Sequence, residues 1–184
     1  TKTGYPDKFR TCWGKNTSEQ IFHIANILHN HELEKGITLA RQTNSEKALK
    51  SVKRDNIKLE AYSDLEKKFN NLNIPVYAEM ILGLPGETYK SWVDGLGSLL
   101  KSNINNQIFV YQAEVYPNTE LNEDSYRKKH GIKTLKIELQ ETHCSPKEQE
   151  WLKEYQEIVI GTSDMTQQDW RNRNLFSVVL MAMH

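Results

Sequence analysis

The sequence predicts an α/β fold in which parallel strands are joined by helices. Apolar, strand-like runs alternate with stretches of helical periodicity along the first two thirds of the chain. The connections between successive runs are longer than a hairpin allows, which indicates parallel pairing. The Pro85-Gly86 pair joins one run to a helix and has the residue types of a type II turn. Ligands of parallel α/β proteins sit beyond such strand ends, although a plain strand-turn-helix corner is the alternative.

The predicted elements of this part follow one another in strict alternation. The predicted strands cover residues 8–14, 36–42, 76–82 and 108–115. The predicted helices run from a cap at Asn16 or Thr17 to about residue 31, from a cap at Asn44 to residue 52, and over residues 59–72 and 89–101.

After Pro117 the pattern changes, and we place a domain boundary near residues 120–130. Residues 1–125 form the parallel α/β part, and residues 126–184 form a C-terminal extension of helices with a short strand. The elements predicted here are a short polar helix at 122–129, an ambiguous stretch at 134–144, a helix from the capping box at 145–148 to about 156, a short strand at 157–161 and a helix at 166–183.

Composition and charge exclude several classes of protein. The 24 basic and 24 acidic residues cancel, so the electrostatic footprint of a nucleic-acid or anionic-membrane binder is missing. No apolar run approaches the roughly 20 residues that cross a bilayer, and the start is not a signal peptide. Two distant cysteines favour a cytoplasmic protein with reduced thiols. The chain begins with Thr rather than Met, which suggests a processed product or a piece of a longer protein.

The strands predict a sheet with one apolar and one polar face. Val76, Met80 and Leu82 share a face that helices would cover. The opposite face would carry the polar side chains of Gln42, Glu79, Gln112 and Glu114. Sheets buried on both faces read as continuous apolar runs, so this pattern favours a barrel with a polar, concave cavity. The alternative is that these side chains bond one another in a packed barrel core.

Four segments, in this order, resemble radical S-adenosylmethionine enzymes. FRTCWGKN at 9–16 is similar to their third strand, and GITLARQTNSEKALKSVKRDNI at 36–57 to their fourth strand and following helix. ILGLPGET at 81–88 is similar to the fifth-strand motif, and YPNTEL at 116–121 to the exit of the sixth strand. The resemblance is to the subgroup with a cobalamin-binding domain, and it is clear over residues 4–125.

The resemblance implies a partial (β/α) TIM-like barrel. In that family a CxxxCxxC loop holds a [4Fe–4S] cluster, S-adenosylmethionine chelates the open iron, and an electron cleaves it to a 5′-deoxyadenosyl radical. This chain lacks the first two strands and that loop, and Cys12 and Cys144 cannot replace three closely spaced thiolates. The resemblance therefore implies the C-terminal part of such an enzyme, inactive alone, with cluster and cobalamin ligands located elsewhere in the full-length protein.

Matching positions give candidate site residues. Gln42 would reach the ribose or methionine moiety of S-adenosylmethionine, and Arg54 would pair with its carboxylate. Ile81 would pack on the adenine, with Gly83 allowing close approach. Lys15 and Asn16 would reach the same cavity, while the substrate side would be formed by Glu79, Gln112 and Glu114. Local roles compete with these: a turn cap for Gln42, a solvated helix end for Arg54, strand core for Ile81 and a helix cap for Asn16.

Three other functions are less well supported by the sequence: a metal site, nucleic-acid binding and a non-catalytic scaffold. His29 and His31 lie two apart on a helix, whereas zinc helices prefer pairs four apart, so we expect no metal site. The basic edge formed by Lys47, Lys50, Lys53 and Arg54 is typical of a solvated face rather than a nucleic-acid site. The alternative of a different class is a non-catalytic α/β scaffold or interaction domain, which a cysteine loop upstream of residue 1 would exclude.

The expected partners are a small-molecule or peptide substrate and the missing N-terminal part of the same protein. The strand at 8–14 would leave an open edge. We expect self-association through this edge, or cover by the strand at 157–161 or the apolar helix near the C-terminus.

Overall fold

The computed structural model describes residues 7–9, 19–56, 58–102, 107–139 and 154–183. Most of the predicted strand at 8–14 and all of the capping box at 145–148 lie outside the described residues, as do Cys12 and Cys144. The elements are α1 Glu19–Asn30, β1 Ile37–Gln42, α2 Glu46–Ser51, α3 Leu59–Asn71, β2 Val76–Leu82, α4 Tyr89–Lys101, β3 Ile108–Gln112, a 3₁₀ turn Glu120–Asn122, α5 Asp124–His130, β4 Lys133–Glu138, β5 Tyr155–Gly161 and α6 Gln167–Met183.

A parallel sheet with the order β1-β2-β3 forms the centre of the molecule. Phe9 forms a parallel bridge with Glu34, and its N–H donates to the Leu33 carbonyl at 2.6 Å. The start of the predicted first strand therefore lies beside the residues that lead into β1. The predicted α/β class, with parallel strands in sequential order and helices between them, is confirmed. It is the arrangement expected for part of a (β/α) barrel.

Helices cover one face of this sheet, as predicted. The core there joins alternate residues of the strands, including Val76 and Met80, to α1, α3 and α4. Its largest fully buried members are Trp92, Tyr62, Phe69, Ile37, Leu39, Ile74, Met80, Leu82, Leu96, Leu99 and Ile108. This set follows from the period-2 pattern of the strands and the apolar stripes of the helices.

The cap of α2 differs from the prediction. Ser45 is the N-cap, and its hydroxyl accepts the Ala48 N–H at 3.3 Å. The predicted cap, Asn44, instead donates from its amide to the Gly95 carbonyl of α4 at 3.0 Å. Neither residue type distinguishes these roles, because both Asn and Ser are good caps. The neighbouring helix decides between them.

The C-terminal extension contains an antiparallel β4-β5 hairpin besides its helix. The short strand predicted at 157–161 is part of β5, and its partner β4 falls within the stretch whose sequence was ambiguous. The hairpin is joined to the residues beyond β3, since Val159 N–H donates to Ala113 O and Val115 N–H to Glu157 O, each at 2.8 Å. β5 thus bonds to β4 on one side and to residues 113–115 on the other. Since most of residues 8–14 lie outside the described residues, the expected cover of that edge stays a prediction.

Candidate functional site

The predicted turn after β2 is present. The Glu87 N–H donates to the Leu84 carbonyl at 3.4 Å, and Gly86, between them, has a φ of +91°. Proline at the second and positive-φ glycine at the third position make this a type II turn. Thr88 then caps α4 in a capping box with Ser91. The turn therefore delivers the backbone directly to the N-terminus of α4, beyond the carboxyl end of β2.

The end of β1 is irregular. Gln42 has a φ of +61°, which is uncommon for a residue other than glycine, and the pairing with β2 shifts between Ala40 and Gln42. Such backbone conformations persist only where their surroundings hold them, and they cluster at functional sites. Here the next residue, Thr43, is fully buried, and its hydroxyl donates to Glu87 Oε1 at 2.5 Å. The irregular end of β1 is thus tied to the turn after β2.

A cavity of about 300 Å³ lies at the carboxyl ends of β1, β2 and β3. Its lining includes five of the predicted site residues, namely Gln42, Glu79, Ile81, Gln112 and Glu114. Sequence reasoning missed the others: Leu84, Tyr111, Ala113, Tyr116 and Leu121. Two of them could have been found from the sequence. Leu84 lies within the motif at 81–88, and Tyr111 lies two residues from Phe109 and so shares its face of the strand.

A second hollow, of about 420 Å³, continues along the same face of the sheet. It shares Glu79 and Tyr111 with the first cavity and extends to Lys35. The rings of Tyr77 and Phe109 lie 5.8 Å apart, and those of Phe109 and Tyr111 stack at 6.3 Å. We call the face formed by Thr38, Tyr77, Glu79, Ile81, Phe109 and Tyr111 the inner face. It is aromatic as well as polar.

The predicted position of Gln112 on the polar face is wrong. Parallel pairing aligns Tyr111 with Ile81 and Gln112 with Leu82, which places the Gln112 side chain on the helix-covered side. There its amide accepts from Trp170 Nε1 and donates to Asn174 Oδ1, both at 3.1 Å. Tyr111 occupies the inner face instead. The strand was long enough to be recognised, but its register was not readable from alternation alone.

Glu114 lies beyond β3, where the chain meets β5. Its carboxylate accepts a short hydrogen bond from the Tyr116 hydroxyl. This bond is the main cause that raises the pKa of Tyr116. The pair places a carboxylate and a phenol together at the rim of the cavity.

Arg54 lies beside the end of β1 and does not line the cavity. Its guanidinium donates to the Ala40 carbonyl at 3.3 Å and to Asn56 Oδ1 at 3.1 Å. Asn56 in turn donates to the carbonyls of Arg41 and Thr43, both at 2.8 Å. These bonds satisfy carbonyls at the end of β1 and hold the loop after α2 against it. A role of Arg54 with the methionine carboxylate stays a prediction.

Gly83 has a φ of +109°, and a Cβ there would lie 3.1 Å from the Val159 carbonyl oxygen and 3.2 Å from Ala113 Cβ. Close approach to the hairpin thus requires glycine here. Lys15 and Asn16 lie outside the described residues. No cluster of three metal-ligating side chains occurs in the described ranges, and no helix there is long and apolar enough to cross a membrane.

Two acidic side chains, Glu87 and Glu66, are buried. Burial raises the pKa of the Glu87 carboxyl to about 7, although the Thr43 hydrogen bond and the charge of Arg173 oppose the rise. Burial likewise raises the pKa of Glu66 to about 7. Glu66 belongs to α3 and lies on the helix-covered side, away from the cavity.

The parallel strands, the glycine-containing turn and the cavity at the strand ends agree with the resemblance to radical S-adenosylmethionine enzymes, and sequence comparison confirms that resemblance. The chain is 30% identical over 181 residues to the cobalamin-dependent radical SAM methyltransferase TokK of Streptomyces tokunonensis. It is 32% identical over 170 residues to 2-(S-pantetheinyl)-carbapenam-3-carboxylate methyltransferase of Streptantibioticus cattleyicolor. No protein-family model matches the chain.

These alignments cover 98% and 91% of this chain but only 26% and 24% of the relatives. The chain therefore spans about a quarter of the length of the curated relatives it matches. Among solved structures, coproporphyrinogen III oxidase HemN of Escherichia coli, a radical SAM enzyme, is similar over 59% of this chain and 24% of its own, with 16% identity and a TM-score of 0.45. The fold assignment rests on the strand order and register described above.

Proposed function

We propose that this chain is the S-adenosylmethionine- and substrate-facing part of a longer radical SAM methyltransferase that depends on cobalamin. The observation that carries the proposal is the similarity of nearly the whole chain to TokK. The cavity at the carboxyl ends of β1 and β2 supports it, because parallel α/β proteins bind ligands at that end.

The cavity suits the adenosyl part of S-adenosylmethionine. Ile81 and Leu84 offer apolar surface to a flat adenine ring, and Gln42 adds an amide at the edge for ribose hydroxyls. Gly83 lets the backbone of this wall approach Ala113 and β5, and Gly86 lets it approach α2. In the complete site Arg54 would pair with the methionine carboxylate, and Lys15 and Asn16 would reach the same cavity. The substrate side would be formed by Glu79, Glu114 and the ring of Tyr111, with Gln112 contributing only wall surface because α6 holds its amide.

The chain cannot hold the iron–sulfur cluster itself. A [4Fe–4S] cluster of this family needs three closely spaced thiolates, and the sequence has two distant cysteines. When bound, the cluster supplies the electron for reductive cleavage of S-adenosylmethionine. We place its ligands and the cobalamin-binding region in other parts of the longer protein, and we place that protein in the cytoplasm. The remaining partner is a small-molecule or peptide substrate.

A titration with S-adenosylhomocysteine, observed by ¹⁵N NMR on the isolated chain, tests the proposal. We expect amide shifts at residues 42 and 81–84 with weak affinity, on the order of 1 mM, because iron chelation is missing. Ile81→Asp should abolish these shifts. Lys67→Ala, which changes a hollow between α3 and α4, is the matched control and should leave them unchanged. Shifts confined to the outer helices, or none up to 10 mM, on the order of ten times that Kd, would favour the non-catalytic scaffold.

Anaerobic reconstitution with iron and sulfide tests whether the cluster ligands lie outside this chain. The chain alone should retain no stoichiometric cluster, whereas the product of the gene including its upstream sequence should hold one if that sequence encodes the cysteine loop. A cluster on the chain alone, seen as acid-labile sulfide with a visible absorbance shoulder, would contradict the proposal.

A further inference from the structure

The C-terminal helix α6 turns polar side chains toward the sheet. Arg173 and Ser177 are fully buried, while Leu175, Val178 and Met183 on the same helix are more than half exposed. An ordinary surface helix shows the reverse pattern. The attachment of α6 therefore depends on specific polar contacts as well as on apolar packing.

These contacts reach the ends of the strands that bound the cavity. Arg173 Nη2 donates to the backbone carbonyl of Glu87 at 3.0 Å. Trp170 Nε1 donates to Gln112 at the end of β3. Farther along the helix, Ser177 Oγ accepts from Trp92 Nε1 of α4 at 3.2 Å. The Arg173 bond is the one that reaches the turn after β2, where Leu84 lines the cavity.

The side chain of Glu87 continues the connection to β1. Its Oε1 accepts from the Thr43 hydroxyl at 2.5 Å, and that hydroxyl accepts from the Ser45 N–H at 3.0 Å. Thr43 directly follows Gln42, whose positive φ needs support from its surroundings. One buried path thus joins α6, the turn after β2 and the loop after β1. We call Arg173, Glu87 and Thr43 the buried link.

The link holds a basic and an acidic side chain away from water. Arg173, Glu87 and Thr43 are each 0% exposed. Among the described residues no hydrogen-bond partner reaches Glu87 Oε2 or the Nε and Nη1 of Arg173. The charge of Arg173 opposes the rise in the pKa of Glu87, and its Nη2 donates to the Glu87 carbonyl. Removing Arg173 would therefore leave that carbonyl without this donor.

We propose that Arg173 is a positioning residue for the cavity: through Glu87 and Thr43 it sets the backbone of residues 83–88 and 43–45, and hence Leu84 and Gln42. The inference rests on the proposed function only in naming S-adenosylmethionine as the ligand of that cavity. Neither Arg173 nor Glu87 touches the ligand in this account. A segment far along the chain would thus shape a wall formed by β1 and β2.

Hydrogen exchange on the 184-residue chain tests the link directly. Arg173→Met removes the cation with little change in length, and Arg171→Met, exposed on the same helix, is the matched control. In Arg173→Met we expect amides 83–88 and 43–45 to exchange about tenfold faster or more, the effect of losing one charge-assisted hydrogen bond. Amides 78–82 in β2 should keep their wild-type rates. Arg171→Met should change neither set.

Arg173→Lys tests whether the cation at position 173, rather than the size of the side chain, holds the loops in place. It keeps a cation beside Glu87, so protection of residues 83–88 should return most of the way toward wild type. If Arg173→Met does not fold, Thr43→Val decides: it removes the donor to Glu87 Oε1 and should show faster exchange confined to the two loops. Unchanged loop exchange in Arg173→Met or in Thr43→Val, or an equal rise in all elements, would overturn the proposal.

Titration with S-adenosylhomocysteine gives the second readout. Arg173→Met should weaken binding about fivefold or more while Arg171→Met binds as wild type. A wild-type chain that binds no S-adenosylhomocysteine would count against the proposed function alone, since the exchange result still decides whether Arg173 holds the two loops. Loosened loops with wild-type affinity would overturn the role of Arg173 at the cavity.

Discussion

The two faces of the three-stranded sheet are built from opposite kinds of contact. On the helix-covered face Val76, Ala78 and Met80 are buried in a closed apolar core. On the inner face the alternate residues Tyr77, Glu79 and Ile81 are only partly buried. The same strands thus supply stability through one set of side chains and a binding surface through the other. Period-2 alternation lets the two be changed independently.

The largest expected effect is on the helix-covered face. Trp92→Ala should lower the free energy of unfolding by about 3–5 kcal/mol, because it opens a cavity in the core and leaves Ser177 without its donor. Urea unfolding measures the change. Exposed Tyr89→Ala, on the same helix, is the control and should stay within about 1 kcal/mol. A Trp92 variant as stable as the control would break the distinction between the faces.

The buried carboxyls predict a stability that falls as pH rises. Glu66 and Glu87 ionise near pH 4.5 when unfolded but near pH 7 when folded, so the folded state binds more protons between these values. Ionisation of each carboxyl should therefore lower the free energy of unfolding by about 3 kcal/mol between pH 4.5 and pH 7. Urea midpoints should therefore drop from pH 5 to pH 8. Glu66→Gln should flatten the slope, and exposed Glu60→Gln on the same helix should not; an unchanged slope in Glu66→Gln would refute the assignment.

A smaller change in stability is expected from the turn after β2, which joins the two faces. Gly86→Ala should destabilise by about 2 kcal/mol, because φ is +91° and the new Cβ would lie 2.9 Å from the Lys47 carbonyl oxygen. Gly97 lies in α4 with nothing within 4 Å of a Cβ. Gly97→Ala should therefore stabilise by about 0.5–1 kcal/mol. Thermal unfolding of the two variants should shift in opposite directions, and shifts of the same sign would be contrary to this account.

A smaller effect on stability is expected from the inner face. Tyr111 is 49% exposed, so Tyr111→Ala should change the free energy of unfolding by about 1 kcal/mol or less. The same variant should weaken the S-adenosylhomocysteine shifts, because Tyr111 lines both hollows. A large loss of stability with unchanged ligand shifts would reverse the roles that we give to the two faces.

The open edge at residues 8–14 bears on self-association of the chain. β5 bonds to β4 and to residues 113–115, and α6 packs against α4, β2, β3 and β5, so both C-terminal elements already have partners. We therefore expect the chain to self-associate at micromolar concentration, measured by sedimentation. A monomer whose amides at 8–14 exchange rapidly would argue against it.

The α/β class, the parallel order and the apolar face were all readable from the sequence alone. These depend on period-2 and helical periodicity and on residue types such as Pro85 and Gly86, which are local properties. The sequence also indicated Gln42 and Ile81 as cavity residues, because each stands at or near a strand end within a recognisable motif, and Glu79, because alternation places it on the polar face. The relation to radical SAM enzymes was readable in the same way.

The contacts between distant segments became visible only in the folded molecule. The side of β3 on which Gln112 lies depends on its register with β2, and a one-residue shift exchanges the faces. The place of β5 beside residues 113–115 and the burial of Arg173 against Glu87 depend on residues some 40 to 90 positions apart. No local pattern specifies such pairs, because their partners become neighbours only when the whole core has formed.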